Sequence, residues 1–590
     1  MKVWLEQRAS ELARLPVLFG RVLPAIRRAK NSGTAPWLAW LGARATSNPQ
    51  GLFCELDQER VSYAEAAARV RSLAAVLVEA GLEQADRVAL IGGNSPSYLL
   101  LILAVAHAGG ATALFNPELA GEPLAHALRS VQPKLTLVEH TQLAPLAALP
   151  DVERALAQRV LSYGDANQEI EQRALVVTPL AAPRADPAGD FVLIFTSGTT
   201  GLPKPCRVRH ERARSAATIF GSIAFEFRRG DKLYCPLPLH HSSALLAGVG
   251  AALVAGVPIA LRRKFSAREF TPDIVRYGAT TSLYIGETCR AFLRVPLSEL
   301  ERESKLRVLV GNGLDADTWR ELRIRFPRVR VREFYASTEA PSAILNLNDK
   351  LGSLGHVPFE TSRGFRLARL DEDQRELLRD DTGRAAPCAP NEPGELLLRV
   401  HPNKREPHGE FGGYTDEAAS RARVVRDVFA PGDAYFRSGD VLRRDRAGYF
   451  YFVDRLGDAY RWKGENISAL QVERVLAAAL AGAELAVSGV AVPGYPGRAG
   501  FVELVASELD VARFARATRA LPAHARPQFV QLVPALDRTS SFKVKKRALD
   551  LASLVATSAE QSSLWVRQHD SYVVLDPKLW DDLCRGQSRL

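Results

Sequence analysis

Phe191-Val192-Leu193-Ile194-Phe195-Thr196-Ser197-Gly198-Thr199-Thr200-Gly201-Leu202-Pro203-Lys204 decides how this chain is read. The first five residues are an apolar run that predicts a buried strand. The strand breaks into hydroxyls and glycines and ends on a lysine. Glycines let a backbone approach an anion closely, hydroxyls and amides donate to it, and lysine supplies charge, so the string suits the phosphates of a nucleotide. It is not the Walker pattern, which needs a hydroxyl after the lysine; Pro205 stands there. A plain Ser/Thr/Gly surface loop is the simpler reading of such a composition, and the length and order of the string favour phosphate.

The chain has 590 residues, more than one core usually serves, so at least two domains are expected. Its formal charge is +11, diluted over that length and supplied mostly by arginine, and no nucleic-acid partner is expected. Cys54, Cys206, Cys235, Cys289, Cys388 and Cys584 are scattered without a CxxC pair, which gives no metal or disulfide signature and makes a reduced cytosolic setting the default. Residues 1–34 lack the apolar core of a signal peptide. Leu12, Leu15, Leu18, Val22, Leu23 and Ile26 recur there at near-helical spacing beside Arg8, Arg14, Arg21, Arg27 and Arg28. That is the pattern of a basic amphipathic helix on a membrane surface or of a helix packed on its own domain, and both readings stay open. A cytoplasmic protein is expected, free or peripheral on the inner face of a membrane.

Two uncharged segments, Tyr98 to Phe115 and Ala244 to Leu261, are long enough for membrane spans. The first opens on Ser95-Pro96, a helix-start signal, and meets Gly109-Gly110; the second carries Gly248, Gly250, Gly256 and Pro258. Both read as buried helix, turn, strand. Elsewhere helical and strand patterns alternate: a helix over Val61–Gly81 with Ser62 as cap, then strands at 87–91, 134–138, 280–284 and 306–310. Alternation of this kind predicts parallel sheets covered by helices. After the strand Tyr449–Arg455 the pattern changes at Leu456-Gly457-Asp458, a plausible domain boundary or hinge. A smaller α+β unit follows, with a helix at 469–480 and strands at 487–492 and 501–506.

Further strings follow the first in order: Gly311-Asn312-Gly313; Glu333-Phe334-Tyr335-Ala336-Ser337-Thr338-Glu339; Tyr435-Phe436-Arg437-Ser438-Gly439-Asp440; Asp454-Arg455; and Arg461-Trp462-Lys463-Gly464-Glu465-Asn466. Singly, each reads as a turn acid or a strand-end ion pair. In this order, from about residue 35 to 575, the chain resembles the adenylate-forming superfamily of acyl-CoA synthetases, luciferases and peptide-synthetase adenylation domains. Asn116 to His126, Gly311 to Leu314, Arg332 to Tyr335 and Arg461 to Asn466 resemble most closely the fatty acid transport protein and very-long-chain acyl-CoA synthetase family.

The resemblance implies an α/β fold: a large N-terminal domain of helix-covered sheets over residues 35–455 and a small mobile α+β domain over 456–590. It implies a fatty acid, ATP, Mg²⁺ and CoA, and two steps, acyl-AMP formation followed by transfer of the acyl group to the CoA thiol. The loop of Thr196, Ser197, Gly198, Thr199, Thr200, Gly201 and Lys204 is expected on the β- and γ-phosphates, and Thr338 on the α-phosphate. Glu339 is expected to offer oxygen to Mg²⁺. Tyr335 and the backbone of Gly311, Asn312 and Gly313 are expected around adenine, and Asp440 with Arg455 around the ribose. His241 is expected at the acyl or carboxylate site, or as a structural histidine. In the small domain, Lys543 of Thr539-Ser540-Ser541-Phe542-Lys543 matches the family's adenylation lysine, Gly457 its hinge, and Lys463 and Gly464 the CoA side.

The chain departs from the family pattern at Ala336 and Ala340, which flank Ser-Thr-Glu where glycines are usual, and at Ser540 and Ser438. None removes a reacting group; together they put the acyl pocket, more than the reaction, in question. Two other readings remain open: a ligase for a bile-acid-like, aryl or short-chain acid or one loading a carrier protein, and a non-catalytic transport-associated homologue.

Overall fold

The computed structural model describes residues 36–164, 169–197, 203–357, 364–371, 376–400, 411–456, 458, 460–462, 465–493, 495, 497–538, 544, 549, 551–558, 563–585 and 587. The expectations for residues 1–34 and for Gly457 lie outside them. The fold is mixed α/β, with a large N-terminal domain of three sheets and a separate C-terminal domain.

The first sheet orders its strands 159–163, 135–139, 87–91, 111–115, 190–197 and 203–209. All pairs are parallel except the last, the hairpin of Asp190–Ser197 with Pro203–Arg209. The second sheet has eight strands, with 330–335, 308–312, 281–285, 233–235, 259–261 and 52–56 running parallel between antiparallel edges. Helix Pro96–Ala108 lies between these sheets, touching strand 111–115 of one and 52–56 of the other. All thirteen of its residues are buried, which explains its apolar character on every side. The Ser95 hydroxyl caps it by accepting from Tyr98 N, and Gly109 ends it at φ +97°. Tyr98–Phe115 and Ala244–Leu261 are thus helix, turn and strand, as expected, and no helix among the described residues is long and apolar enough to cross a membrane.

The third sheet is antiparallel, in the order 355–356, 449–455, 434–444, 394–399 and 365–368. The C-terminal domain has its own five-stranded sheet and its own core, whose buried side chains run from Tyr460 to Leu583. The helix expected over 61–81 is Tyr63–Glu79: Val61 and Ser62 belong to a strand paired with Leu52–Leu56, though Ser62 still caps the helix.

One turn of the second sheet is fixed by a buried acid. Strand Val308–Asn312 ends in Gly313-Leu314, whose amides donate to the Glu333 carboxyl from the neighbouring strand. The Tyr284 hydroxyl bonds the other carboxyl oxygen. Gly286, at the start of helix Gly286–Leu293, backs onto the same turn; a Cβ there would stand 1.9 Å from the Gly313 carbonyl oxygen. Burial lifts the Glu333 carboxyl to about 8, so it is largely protonated at neutral pH. A raised folded pKa means stability that is full below the ordinary carboxyl pKa and lost as pH rises through about 8. Glu333→Gln, which keeps the shape of the neutral acid, should therefore flatten the fall in thermal unfolding midpoint between pH 5 and 8.5. An unchanged pH slope in the variant would refute this account of the turn.

Candidate active site

The C-terminal ends of parallel strands are where open α/β sheets present their ligand sites. Here the ends of strands 308–312 and 330–335 face the antiparallel sheet across a cleft of about 3010 Å³. Thr196, His241, Asn312, Gly313, Tyr335, Thr338, Glu339, Asp440 and Arg455 all line it. Residues separated by more than 250 positions in sequence are brought to one space.

Asp440 is the best-defined group in the cleft. Its strand, Ala434–Arg444, pairs with Tyr449–Arg455 so that Asp440 stands opposite Arg455. The Tyr335 hydroxyl donates to Asp440 Oδ2 at 2.7 Å, and Arg455 Nε donates to Oδ1 at 3.0 Å. Asp440 is 6% exposed, and its charge raises the pKa of the Arg455 guanidinium. Burial, reinforced by Asp440, keeps the Tyr335 phenol protonated and donating. The turn before it depends on a residue absent from every motif. Glu395, fully buried, accepts from the Gly439 amide at 3.1 Å and from Arg437 Nε at 2.9 Å, and Gly439 has φ +73°. Tyr335, expected around adenine, is thus tied by its hydroxyl to Asp440, and its ring borders the cleft.

The Ser337-Thr338-Glu339 segment is held from three sides. Arg212, on helix His210–Ile219, donates to the carbonyls of Ser337 at 3.4 Å and Ala340 at 2.5 Å. The hydroxyls of Thr338 and Ser242 share a hydrogen bond at 2.9 Å. The Tyr414 hydroxyl donates to Glu339 Oε1 at 3.1 Å, and burial followed by the Glu339 charge holds that phenol protonated. Glu339 lines the cleft, and the described residues contain no cluster of three metal-ligating side chains. A single hard carboxylate fits Mg²⁺, which takes few protein ligands and completes its shell with phosphates and water.

Gly311 does not line the cleft: its Cβ position is filled by the Tyr284 carbonyl and ring, while Asn312 and Gly313 face the space. Lys204 pairs with Thr196 at the base of the hairpin and is absent from the lining, and of Ser197 only the strand backbone is described. His241 lines the cleft beside His240, with ring centroids 4.4 Å apart; burial, then the neighbouring ring, holds His240 neutral. Gly198, Thr199, Thr200, Gly201, Lys463, Gly464 and Lys543 lie outside the described residues. Leu536, Arg538 and Val544, which bracket Lys543 in sequence, do line the cleft.

Ile219, Phe220, Ile223, Leu246, Ala247 and Phe334 give the cleft an apolar lining. Phe220 and Phe334 meet edge-to-face at 4.8 Å. Two π-helical turns, Phe220–Ala224 and Ser243–Val249, supply part of this lining, and such turns recur at functional sites. Of the two uncharged segments, the second contributes to this lining, while residues 98–115 pack in the core. Tyr414, Arg212, Glu395 and Ser242 went unrecognised as partners because each acts across a gap of more than 40 residues in sequence, which no local spacing signals.

Residues 41–403 match the AMP-binding enzyme family. Long-chain fatty acid transport protein 1 of Mus musculus is 35% identical, over 98% of this chain and 92% of its own length. Medium/long-chain-fatty-acid–CoA ligase FadD6 of Mycobacterium tuberculosis is 35% identical over 85% of this chain and 83% of its own. The crystal structure of ATP-bound MatB from Rhodopseudomonas palustris shares the fold, with a TM-score of 0.73 and 23% identity over 89% of this chain and 99% of that one. With its motifs gathered in one cleft and its relatives matched along most of its length, this chain belongs to the AMP-binding enzyme family.

Proposed function

We propose that this chain is an AMP-forming fatty acid–CoA ligase that acts on long or very long acyl chains. The observation that carries the reading is one cleft lined both by Thr338, Glu339 and the Tyr335–Asp440–Arg455 group and by apolar side chains such as Ile219, Phe220 and Leu246. The names of the relatives, fatty acid transport proteins and a fatty-acid–CoA ligase, support the substrate class.

In the first step a carboxylate oxygen attacks the α-phosphorus, the bond to the bridging oxygen of the β-phosphate breaks, and pyrophosphate leaves. Such a transfer needs fixed donors and positive charge more than covalent help. Thr338 donates to the α-phosphate, Asp440 accepts from the ribose hydroxyls, and Asn312 and Gly313 border adenine. The Thr196–Lys204 loop grips the departing phosphates. Lys543 is assigned the charge that steadies the carboxylate and α-phosphate as they meet. Glu339 is the residue that would hold Mg²⁺, which would supply positive charge against the departing phosphates. In the second step the CoA sulfur attacks the acyl carbon, the carbon–oxygen bond to AMP breaks, and the thiol proton goes to solvent. His241 is assigned to the acyl or carboxylate site, and the segment of Lys463 and Gly464 to the CoA side. Residues 456–590 are the piece that turns between the steps, and residues 1–34 are assigned to contact with an anionic membrane surface.

ATP–pyrophosphate exchange over acids of graded length tests the substrate class. Exchange should rise with chain length into the long-chain range, and acyl-CoA should form only when CoA is added. Lys543→Ala should lower exchange by about 10²–10³-fold, the usual effect of removing one transition-state donor. Exchange driven only by short or aryl acids would move the substrate class, exchange without CoA consumption would favour carrier loading, and failure of every acid would leave a non-catalytic homologue.

A further inference from the structure

The small domain is fastened to the large one by a short ladder of alternating charges on the rim of the cleft. Arg538, from the small domain, donates through Nη1 to Glu287 Oε2 at 2.9 Å and through Nη2 to Glu484 Oε1 at 2.6 Å. Glu287 stands in the first turn of helix Gly286–Leu293 of the large domain, and Glu484 belongs to the small one. Arg294, at the other end of that helix, donates to the Gly482 carbonyl at 2.7 Å. Arg290 pairs with Glu287 and, at 2.6 Å, with Asp315. Burial alone would raise the Glu287 pKa, but Arg290 and Arg538 outweigh it and keep the carboxyl ionised.

The position of Arg538 makes this more than a rim contact. It pairs with Val544 in an isolated antiparallel bridge, and both residues line the cleft beside Leu536. Lys543 is covalently next to Val544 and five residues from Arg538, a reach of about 17 Å at full extension. Fixing Arg538 against Glu287 therefore also fixes its bridge partner Val544, the residue that follows Lys543 in sequence, beside the cleft that holds Thr338 and Asp440. The three side chains are each about a quarter to a third exposed, at 27%, 27% and 31% for Arg538, Glu287 and Glu484. Contacts that wet are worth little enough to break during a turnover.

We propose that Arg538 is a positioning residue: bridging Glu287 and Glu484, it holds the small domain in the orientation that serves attack on ATP and releases it for thiol attack. This rests on the two-step ligase reading above. The test uses the full-length protein and splits the half-reactions: ATP–pyrophosphate exchange with the best fatty acid, and acyl-CoA formation from synthetic acyl-AMP and CoA.

Arg538→Gln and Glu287→Gln should each slow exchange about three- to fivefold, the scale of one partly exposed charge pair, and leave the second reaction within about 1.5-fold. The double variant should lose less than the product of the two single losses, because the Arg538–Glu287 contact is common to both changes. Arg538→Lys, which keeps the charge, should recover part of the loss with an unchanged thermal unfolding midpoint. Equal losses in both half-reactions, or additive losses in the double variant, would overturn the role of Arg538 alone. A wild type that exchanges with no acid would overturn the ligase reading, and the clamp with it.

Discussion

The hydrogen bond from Tyr335 to Asp440 joins two sheets whose strands are 105 residues apart in sequence. Tyr335 ends the parallel strand Arg330–Tyr335, and Asp440 sits mid-strand in the antiparallel sheet. The carboxylate is buried, and two donors meet it there, the tyrosine hydroxyl and the Arg455 guanidinium. Its own amide is held by the Ser438 hydroxyl, which fixes the backbone that presents it. Removing one donor would leave a buried charge short of partners, which costs more than the bond itself contributes. The cleft keeps its shape because this acid cannot move without breaking the seam between the sheets. Its remaining lone pairs are then available to a diol.

The same logic explains what the sequence reveals and what it hides. The motif strings are legible because they mark strand ends, where chemistry and backbone geometry constrain the same few residues. Strand Arg87–Ile91 and the buried helix at 96–108 are legible from unbroken apolar runs and cap residues. Strand 306–310 lies at 308–312 instead, because pairing with Thr281–Ile285 carries the ladder on through Gly311 and Asn312. Val61 and Ser62 join a strand because Leu52–Leu56 offers an edge to pair with, a tertiary fact that a helical period cannot show. Gly311 reads as open backbone, yet Tyr284 from the next strand fills the space above it.

The supports of the site are hidden for a common reason. Glu395, Arg212 and Tyr414 each bond a group supplied by a distant element. Sequence order shows that a glutamate is present, and only the fold shows that it is the acceptor for the Gly439 amide. The charge ladder at Glu287, Arg538 and Glu484 is of the same kind, with 251 residues between the first two. Tyr335 and Asp440 are 8% and 6% exposed, against 27% to 31% for the ladder, and that difference in burial separates a contact that defines the cleft from one suited to being made and broken.

The central claim is that Asp440 reads the ribose of ATP inside this cleft, and the most direct test compares AMP with 2′,3′-dideoxyadenosine monophosphate by calorimetric titration. Wild-type protein should bind AMP about 10- to 100-fold more tightly than the dideoxy compound, the range for hydrogen bonds to a charged acceptor. Asp440→Asn should lose most of that preference while binding the dideoxy compound nearly as well as wild type does. A preference that survives intact in Asp440→Asn would contradict the account.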